Sequence, residues 1–154
     1  MYEGTPQGGG IVYNTELVDP KELKSFFDLL NPKWKGKIIS IDPLVAGSSQ
    51  QNLSFFYNYP TLGPNFIRRL YGEMDIPISR DDRQVLDWLA IGKYSFALFT
   101  RGTEDAIDQG LPIAMIPPGL FKEGAFVSPR SGLVSYMNQA PHPNAAKVAV
   151  NWLL

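Results

Sequence analysis

Residues 31–43, with the sequence NPKWKGKIISIDP, carry the strongest structural signal in this chain. The lysine-rich half is typical of an exposed turn, and the three isoleucines of 38–41 do not alternate with polar residues. That pattern predicts a strand that is covered on both faces, as in a parallel sheet. Beyond the strand, the small residues at 47–49 suit the start of a helix, where free backbone N–H groups favour anions. This stretch therefore predicts a ligand site.

The composition describes a globular protein without obvious redox or metal chemistry. The chain has 154 residues, 44% of them hydrophobic and 19% charged, which suits one domain or one lobe of a larger protein. A net charge of −1 gives no reason to expect nucleic acid or an anionic membrane surface as a partner. The absence of cysteine and the single histidine exclude thiol catalysis and multi-histidine metal sites. We expect no cofactor and no bound metal.

Turn signals and hydrophobic periodicity predict alternating strands and helices. Strands are predicted at 11–14, 37–42, 94–99 and 112–116, with extended segments at 125–128 and 132–138. Helices are predicted at 19–30, 48–57, 64–74, 79–92, 104–109 and from about residue 144. The first rests on Leu23, Phe26, Phe27 and Leu30, which are spaced as one face of a helix. The fold class is α/β, with a mixed, mostly parallel sheet flanked by helices.

Two predicted strand ends carry polar residues that suit ligand binding. Gly47, Ser48 and Ser49 follow the first, and Thr100 and Arg101 follow the strand at 94–99. In open α/β sheets, ligands bind beyond the carboxyl ends of the strands. If the two strands are neighbours, the helix start and the guanidinium would converge on one anionic group.

Simpler interpretations of the same residues stay open. Either serine could be an N-cap only, and Arg101 could be a surface residue paired with Glu104 or Asp105. The glycine run at 8–10 has no preceding strand, so it does not match a phosphate loop. No serine lies in a nucleophile-elbow pattern, and His142 lies between two prolines, which suits a helix lead-in. We predict no catalytic residues.

Three segments resemble extracellular solute-binding proteins that serve ABC importers. Residues 28–38, DLLNPKWKGKI, are similar to that family's DLLDPKWKGKI segment. YNT at 13–15 resembles its YNT strand, and APHPNAAK at 140–147 with NWLL at 151–154 resembles its APHPNAAK…NWLL helix. The relevant branch is the type II periplasmic binding fold, which includes ferric-iron-binding and aminoethylphosphonate-binding proteins.

The resemblance implies two α/β lobes with a solute held between them, delivery to an ABC importer permease, and a periplasmic or extracytoplasmic location. Residues 1–131 would form the second lobe, and 132–154 a crossover strand and helix of the first. The apolar run at 148–154 lacks a helix stop, so we interpret the chain as part of a longer protein, without its signal peptide.

The resemblance transfers the ligand less well than the fold. Ferric-binding members have two adjacent tyrosines where this chain has Thr100 and Arg101, and an arginine would repel Fe(III). We therefore expect a small anionic or zwitterionic solute, with Asn14 and Tyr57 as further candidate contacts. The alternatives are a ferric-iron or metal-chelate binder that uses Tyr57 or Tyr59, and a fragment of an α/β enzyme.

Overall fold

A computed structural model describes residues 4–7, 10–124, 126–129 and 141–153 of the chain. The strands are β1 (Gly4–Gln7), β2 (Ile11–Asn14), β3 (Ile38–Ile41), β4 (Ile78–Ser79), β5 (Phe96–Leu98), β6 (Ile113–Met115) and β7 (Phe126–Pro129). Five of them form a mixed sheet in the order β4-β3-β5-β2-β6, and β1 pairs with β7 in a separate two-stranded sheet. Strand β3 is parallel to β4 and β5, whereas β2 is antiparallel to β5 and β6.

The helices alternate with these strands, which confirms the α/β fold class. They are α1 (Ser48–Asn58), α2 (Gly63–Glu73), α3 (Asp82–Ala90), α4 (Thr103–Asp108) and α5 (Pro143–Leu153). Short 3₁₀ turns cover Pro20–Glu22, Phe26–Leu30 and Pro32–Trp34. Helix α3 begins at Asp82 and is capped by Asp81, so it starts later than the predicted helix at 79–92. The predicted extended segment at 132–138 lies outside the described residues.

The predicted helix at 19–30 is wrong, because a polar cap divides it into two 3₁₀ turns. Leu23 is extended, with φ −100° and ψ 113°. Ser25 then starts a new turn in a capping box with Asp28: each side chain accepts a backbone N–H of the other end of the turn. The N–H of Lys122 bonds to the carbonyl of Lys24 at 2.8 Å, which fixes the interruption. Leu23, Phe26 and Leu30 are buried, as their spacing predicts, but their burial does not require a single helix.

Helices α2 and α3 cover opposite faces of the central sheet. The hydroxyl of Ser40 in β3 lies 2.9 Å from the hydroxyl of Tyr71 in α2. Asn14 in β2 bonds instead to the end of α3. Side chains alternate along strands, and the cross-strand register places Asn14 on the face opposite Ser40. Every residue of β2 and β3 is buried, as the isoleucine pattern of residues 38–41 predicts.

An aromatic cluster joins α1 to the rest of the core. The ring of Phe26 lies 5.1 Å from Phe56 of α1 and 4.5 Å from Phe121. Phe56 in turn packs against Phe66 at 5.5 Å and Phe99 at 5.7 Å between ring centroids. Such edge-to-face contacts add to the stabilisation from burial alone. They position α1 against the residue that follows β5.

The chain divides into two compact units. One is Pro6–Phe126, and the other combines Met1–Thr5 with Val127–Leu154. The described side chains of α5 are largely exposed, and Val148 is 70% exposed. The assignment of residues 1–131 and 132–154 to different lobes stays a prediction.

Candidate functional site

The carboxyl ends of β3 and β5 lie side by side, so the structure brings the two predicted polar segments to one edge of the sheet. The strands are parallel and adjacent, with Ser40 opposite Leu98. From this edge the chain leaves β3 through Asp42 toward α1, and leaves β5 through Thr100 toward α4. The geometry is that of ligand sites in open α/β sheets.

The start of α1 presents free backbone donors at this edge. Gly47 is the N-cap residue, with φ 130°, and no side chain caps the helix. The first internal bond runs from the N–H of Gln51 to the carbonyl of Gly47 at 3.1 Å. The N–H groups of Ser48, Ser49 and Gln50 precede that bond and therefore have no intrahelical acceptor. The interpretation of either serine as an N-cap is wrong, since that position belongs to Gly47.

The loop that leads into α1 is held by a carboxylate. Asp42 accepts the N–H of Leu44 at 3.0 Å and the Nε of Arg80 at 3.0 Å. The backbone donor, and after it the guanidinium, hold the pKa of Asp42 below its ordinary value. Leu44 itself is 79% exposed. The loop thus offers an apolar side chain beside the free donors of α1.

The segment after β5 turns sharply and anchors Arg101. Phe99 has φ 67°, which is rare for a bulky residue, and its N–H bonds to the carbonyl of Gly10 at 2.6 Å. Such backbone strain often occurs at functional sites. Thr100 is half-buried, and its hydroxyl lies 3.3 Å from that of Thr103. The turn brings Thr100 and Arg101 out at the edge of the sheet.

Arg101 pairs with Asp82 rather than with Glu104 or Asp105. Its backbone N–H donates to Oδ1 of Asp82 at 2.8 Å, and its Nε and Nη2 donate to Oδ2 at 3.0 and 2.7 Å. The side chain of Arg101 stays 66% exposed. Because Asp82 begins α3, the guanidinium is drawn toward that helix, whereas α1 packs against α2.

A groove of about 480 Å³ adjoins this ion pair, a volume in the range of small-molecule sites. It is lined by Asp82, Arg83, Leu86, Asp87, Arg101, Gly102, Asp105, Ala106, Gln109 and Leu111. The groove lies between α3 and α4, and both apolar side chains and side chains of either charge line it. Arg101 is therefore shared between the groove and the edge of the sheet.

Asn14 and Tyr57 do not join the other predicted residues. Strand β2 runs antiparallel to β5, so Asn14 at its carboxyl end lies at the opposite edge of the sheet. Its Nδ2 donates to the carbonyls of Leu89 and Ala90, and its Oδ1 accepts two backbone N–H groups. Tyr57 is nine residues beyond Ser48 on α1, about 14 Å along the axis. Its exposed ring lies far from the free donors.

Tyr59, the other tyrosine considered for metal binding, donates its hydroxyl to the carbonyl of Glu123. Within the described part of the chain, no group of three or more His, Cys, Asp or Glu side chains could hold a metal ion. None of the helices in the described ranges is long and apolar enough to cross a membrane.

Gly10 and Asn52 are further candidate residues at this edge of the sheet, and the sequence reasoning missed them. Because β2 is antiparallel, Gly10 at its start lies at the same edge as Thr100. Asn52 is 6% exposed, its Nδ2 donates to the carbonyl of Ser48 at 2.9 Å, and its Oδ1 has no partner. A side chain at Gly10 would place its Cβ 2.7 Å from Nδ2 of Asn52. The spacing of four residues between Ser48 and Asn52 was the available signal.

Solved structures with the same fold span a range of proteins. Apo FutA2 from Synechocystis PCC6803 gives a TM-score of 0.61 at 19% identity, and the match covers 99% of this chain and 51% of that protein. The Trichodesmium protein IdiA (FutA), in complex with iron and citrate, gives a TM-score of 0.58 at 20% identity. That match covers 93% of this chain and 48% of that protein. A two-component system protein that mediates signal transduction gives a TM-score of 0.58 at 21% identity, and the match covers 90% of this chain and 45% of that protein.

No protein-family model and no curated protein sequence matches the chain. The chain spans about half the length of the structures that it resembles. The type II periplasmic-binding-protein fold implied by the sequence resemblance is confirmed by these neighbours.

Proposed function

We propose that this chain is one lobe of the solute-binding component of an ABC importer. It would capture a small anionic or zwitterionic solute outside the cytoplasm and deliver it to the permease, without catalysis. The uncapped start of α1, at the carboxyl edge of the sheet, is the observation that carries the proposal. The likeness to solved binding proteins supports the fold on which it rests.

The backbone would supply the main contacts to the anion. The N–H groups of Ser48 and Ser49 point along the axis of α1, where the helix dipole favours negative charge. The first turn of α1 contains no acidic residue that would already compensate this dipole. A hydrogen bond from each N–H to a charged oxygen contributes about 1.5–3 kcal/mol. Gly47, with its positive φ, lets the loop turn into the helix without covering these donors.

Thr100 and Arg101 would contact the same solute from the end of β5. The guanidinium has five N–H donors, and Asp82 engages only Nε and Nη2. Nη1 can therefore bind an anion while the pair with Asp82 holds the side chain in place. An arginine held in this way binds an anion more tightly than a free one, because less side-chain entropy is lost on binding.

The first lobe of the full protein would complete the site. The loop at 42–47 exposes Leu44, and Val45 is 39% exposed. Exposed apolar residues beside a polar site suit contact with a solute or with a closing lobe. In this proposal residues 1–131 belong to the second lobe and 132–154 to the crossover.

A metal chelate is the second candidate, because the structurally similar Trichodesmium protein was solved with iron and citrate. The carboxylates of such a chelate would bind the same free donors. Bare ferric iron is less suitable, since Tyr57 and the start of α1 lie at opposite ends of the helix.

A pair of substitutions at Ser48 tests the role of the backbone. Proline is favoured at the first helical position, so Ser48→Pro removes one free N–H and preserves α1. Ser48→Ala removes only the hydroxyl. We expect inorganic phosphate or citrate to shift the amide resonances of Ser49 and Gln50 in the unaltered chain and in Ser48→Ala. The shifts should weaken several-fold in Ser48→Pro.

The absence of any phosphate- or citrate-dependent shift at these amides would contradict the proposal. The Arg101 contact is tested separately by Arg101→Ala, with Arg83→Ala as the control in the same groove. Equal affinity in the two variants would remove Arg101 from the site.

A further inference from the structure

We propose that Oδ1 of Asn52 selects solutes that carry a hydrogen-bond donor, an ammonium or hydroxyl group, close to their anionic group. This inference rests on the proposed function, because it concerns the same edge of the sheet. It adds an acceptor beside the backbone donors at the start of α1.

Asn52 Oδ1 is a buried acceptor without a partner. The residue is 6% exposed, and the carbonyl oxygen is one of two side-chain polar atoms in the described residues that are buried and unbonded. Buried polar atoms are nearly always hydrogen-bonded, and an exception calls for a missing ligand or water. The other atom, Nε1 of Trp34, belongs to a turn before β3, away from the carboxyl edge.

The orientation of the amide is fixed by its other end. Nδ2 donates to the carbonyl of Ser48 at 2.9 Å. Exchanging the oxygen and nitrogen would place two carbonyl oxygens against each other, so the unpaired atom is the oxygen. Side chains on a helix lean toward its N-terminus, which brings this amide back to the first turn of α1.

Gly10 keeps the amide in that position. A Cβ at residue 10 would lie 2.7 Å from Nδ2 and 3.3 Å from Oδ1 of Asn52, so any larger residue would displace the amide. The φ of Gly10 is 66°, which also favours glycine. The carbonyl is thus held between α1 and the start of β2, at the edge that carries Thr100.

Asn52 follows Ser48 by four residues, and its side chain leans back toward the first turn, so we expect the first-turn N–H groups and Oδ1 to be separated by about 5 Å. A solute that bridges them needs an acidic group and a donor two or three bonds apart. Zwitterions and hydroxy acids meet this requirement, whereas simple alkyl acids do not.

Matched probes test this selection. β-Alanine and butyrate differ by an ammonium in place of a methyl group, and 3-hydroxypropionate supplies the neutral donor. We expect β-alanine and 3-hydroxypropionate to bind the chain about tenfold more tightly than butyrate, a difference of about 1.4 kcal/mol. Affinities are measured from the amide shifts of Ser49 and Gln50.

The variant Asn52→Leu should bind all three probes with the affinity of butyrate. Asn58→Leu is its control, because Asn58 makes the same bond to the carbonyl four residues earlier but is exposed. Cooperative urea unfolding of both variants verifies that they fold. Asn52→Ala is used if Asn52→Leu does not fold, since it also removes the carbonyl and supplies no other acceptor.

The outcomes separate the two proposals. Equal binding of butyrate and β-alanine by the unaltered chain, or a preference that survives in Asn52→Leu, would overturn the role of Asn52 and leave the anion site intact. If none of the probes, nor phosphate or citrate, shifted the amides of α1, the anion site itself would fail, and this inference with it.

Discussion

Asn14 and Asn52 are both buried asparagines beside a strand end, and their bonds give them different roles. Asn14 uses both ends of its amide: its Nδ2 bonds to Leu89 at 2.8 Å, and its Oδ1 accepts the N–H of Glu16 at 2.8 Å. It therefore closes the end of α3 and starts the turn after β2. Asn52 leaves its oxygen unpaired. Residue type alone does not distinguish these roles.

The structural role of Asn14 predicts a large loss of stability when it is replaced. Asn14→Ala removes the bonds to the carbonyl of Ala90 and the N–H of Glu16, whereas the carbonyl of Leu89 keeps the N–H of Gly92 and the N–H of Leu17 keeps the carbonyl of residue 14. We therefore expect the free energy of unfolding to fall by about 1–3 kcal/mol. The exposed variant Asn58→Ala should change it by less than about 0.5 kcal/mol. Urea denaturation of both variants measures the difference. Equal losses would show that the bonds of Asn14 contribute little.

The sequence predicted candidate ligand residues at the ends of β3 and β5, and these ends lie at one edge of the sheet because the strands are parallel neighbours. It misplaced Asn14 because the direction of β2 is not encoded locally. A four-residue buried strand has the same apolar pattern in either direction, and its pairing depends on contacts far along the chain. Gly10 was missed for the same reason, because only the antiparallel direction of β2 places its start at the edge of Thr100. The partner of Arg101 was missed because Asp82 is distant in sequence.

At the scale of elements, polar contacts decide where apolar segments begin and end. Strands β3 and β5 and helices α1 and α2 lie close to their predicted bounds, since proline and glycine mark their ends. The segment at 19–30 does not form the predicted helix, because Ser25 and Asp28 form a cap inside it. Capping residues are visible in the sequence, but long-range bonds such as that of Lys122 decide whether the cap forms.

The contact between β3 and α2 gives stability a dependence on alkaline pH. Burial is the largest cause that raises the pKa of Tyr71 from 10.0 to about 12, and the charge of Asp42 adds to it, whereas the bond with Ser40 opposes it. Between these two values the unfolded chain loses the phenol proton and the folded chain keeps it. Stability from this group is therefore complete below pH 10 and falls as the pH rises toward 12.

The expected loss is about 2–3 kcal/mol over that window, from about 1.4 kcal/mol per pKa unit. Tyr71→Phe should lack this component, so the difference in unfolding free energy between the two proteins should shrink as the pH rises. Urea denaturation at several pH values measures it, and absorbance at alkaline pH reports the late ionisation directly. A constant difference across the window would contradict the raised pKa of Tyr71.

At the scale of the whole molecule, the hydrophobic core of the described residues lies in one of the two units. Every residue of the described core cluster falls between Ile11 and Phe121. Near the carboxyl end of this unit, the ring of Phe121 lies 4.5 Å from that of Phe26, and Glu123 accepts the hydroxyl of Ser25 at 2.5 Å. Residues 127–154 belong to the other unit.

This division predicts that residues 6–126 fold without the remainder. We expect the shortened chain to unfold cooperatively in urea, with a free energy within about 1 kcal/mol of that of the full chain. A chain that ends at Leu120 is the control, since it loses the ring of Phe121 and the carboxylate of Glu123. Removing a buried aromatic side chain costs about 3–5 kcal/mol, so this control should be much less stable. If the chain ending at Phe126 were equally unstable, the core would depend on residues 127–154, and the two units would not be independent.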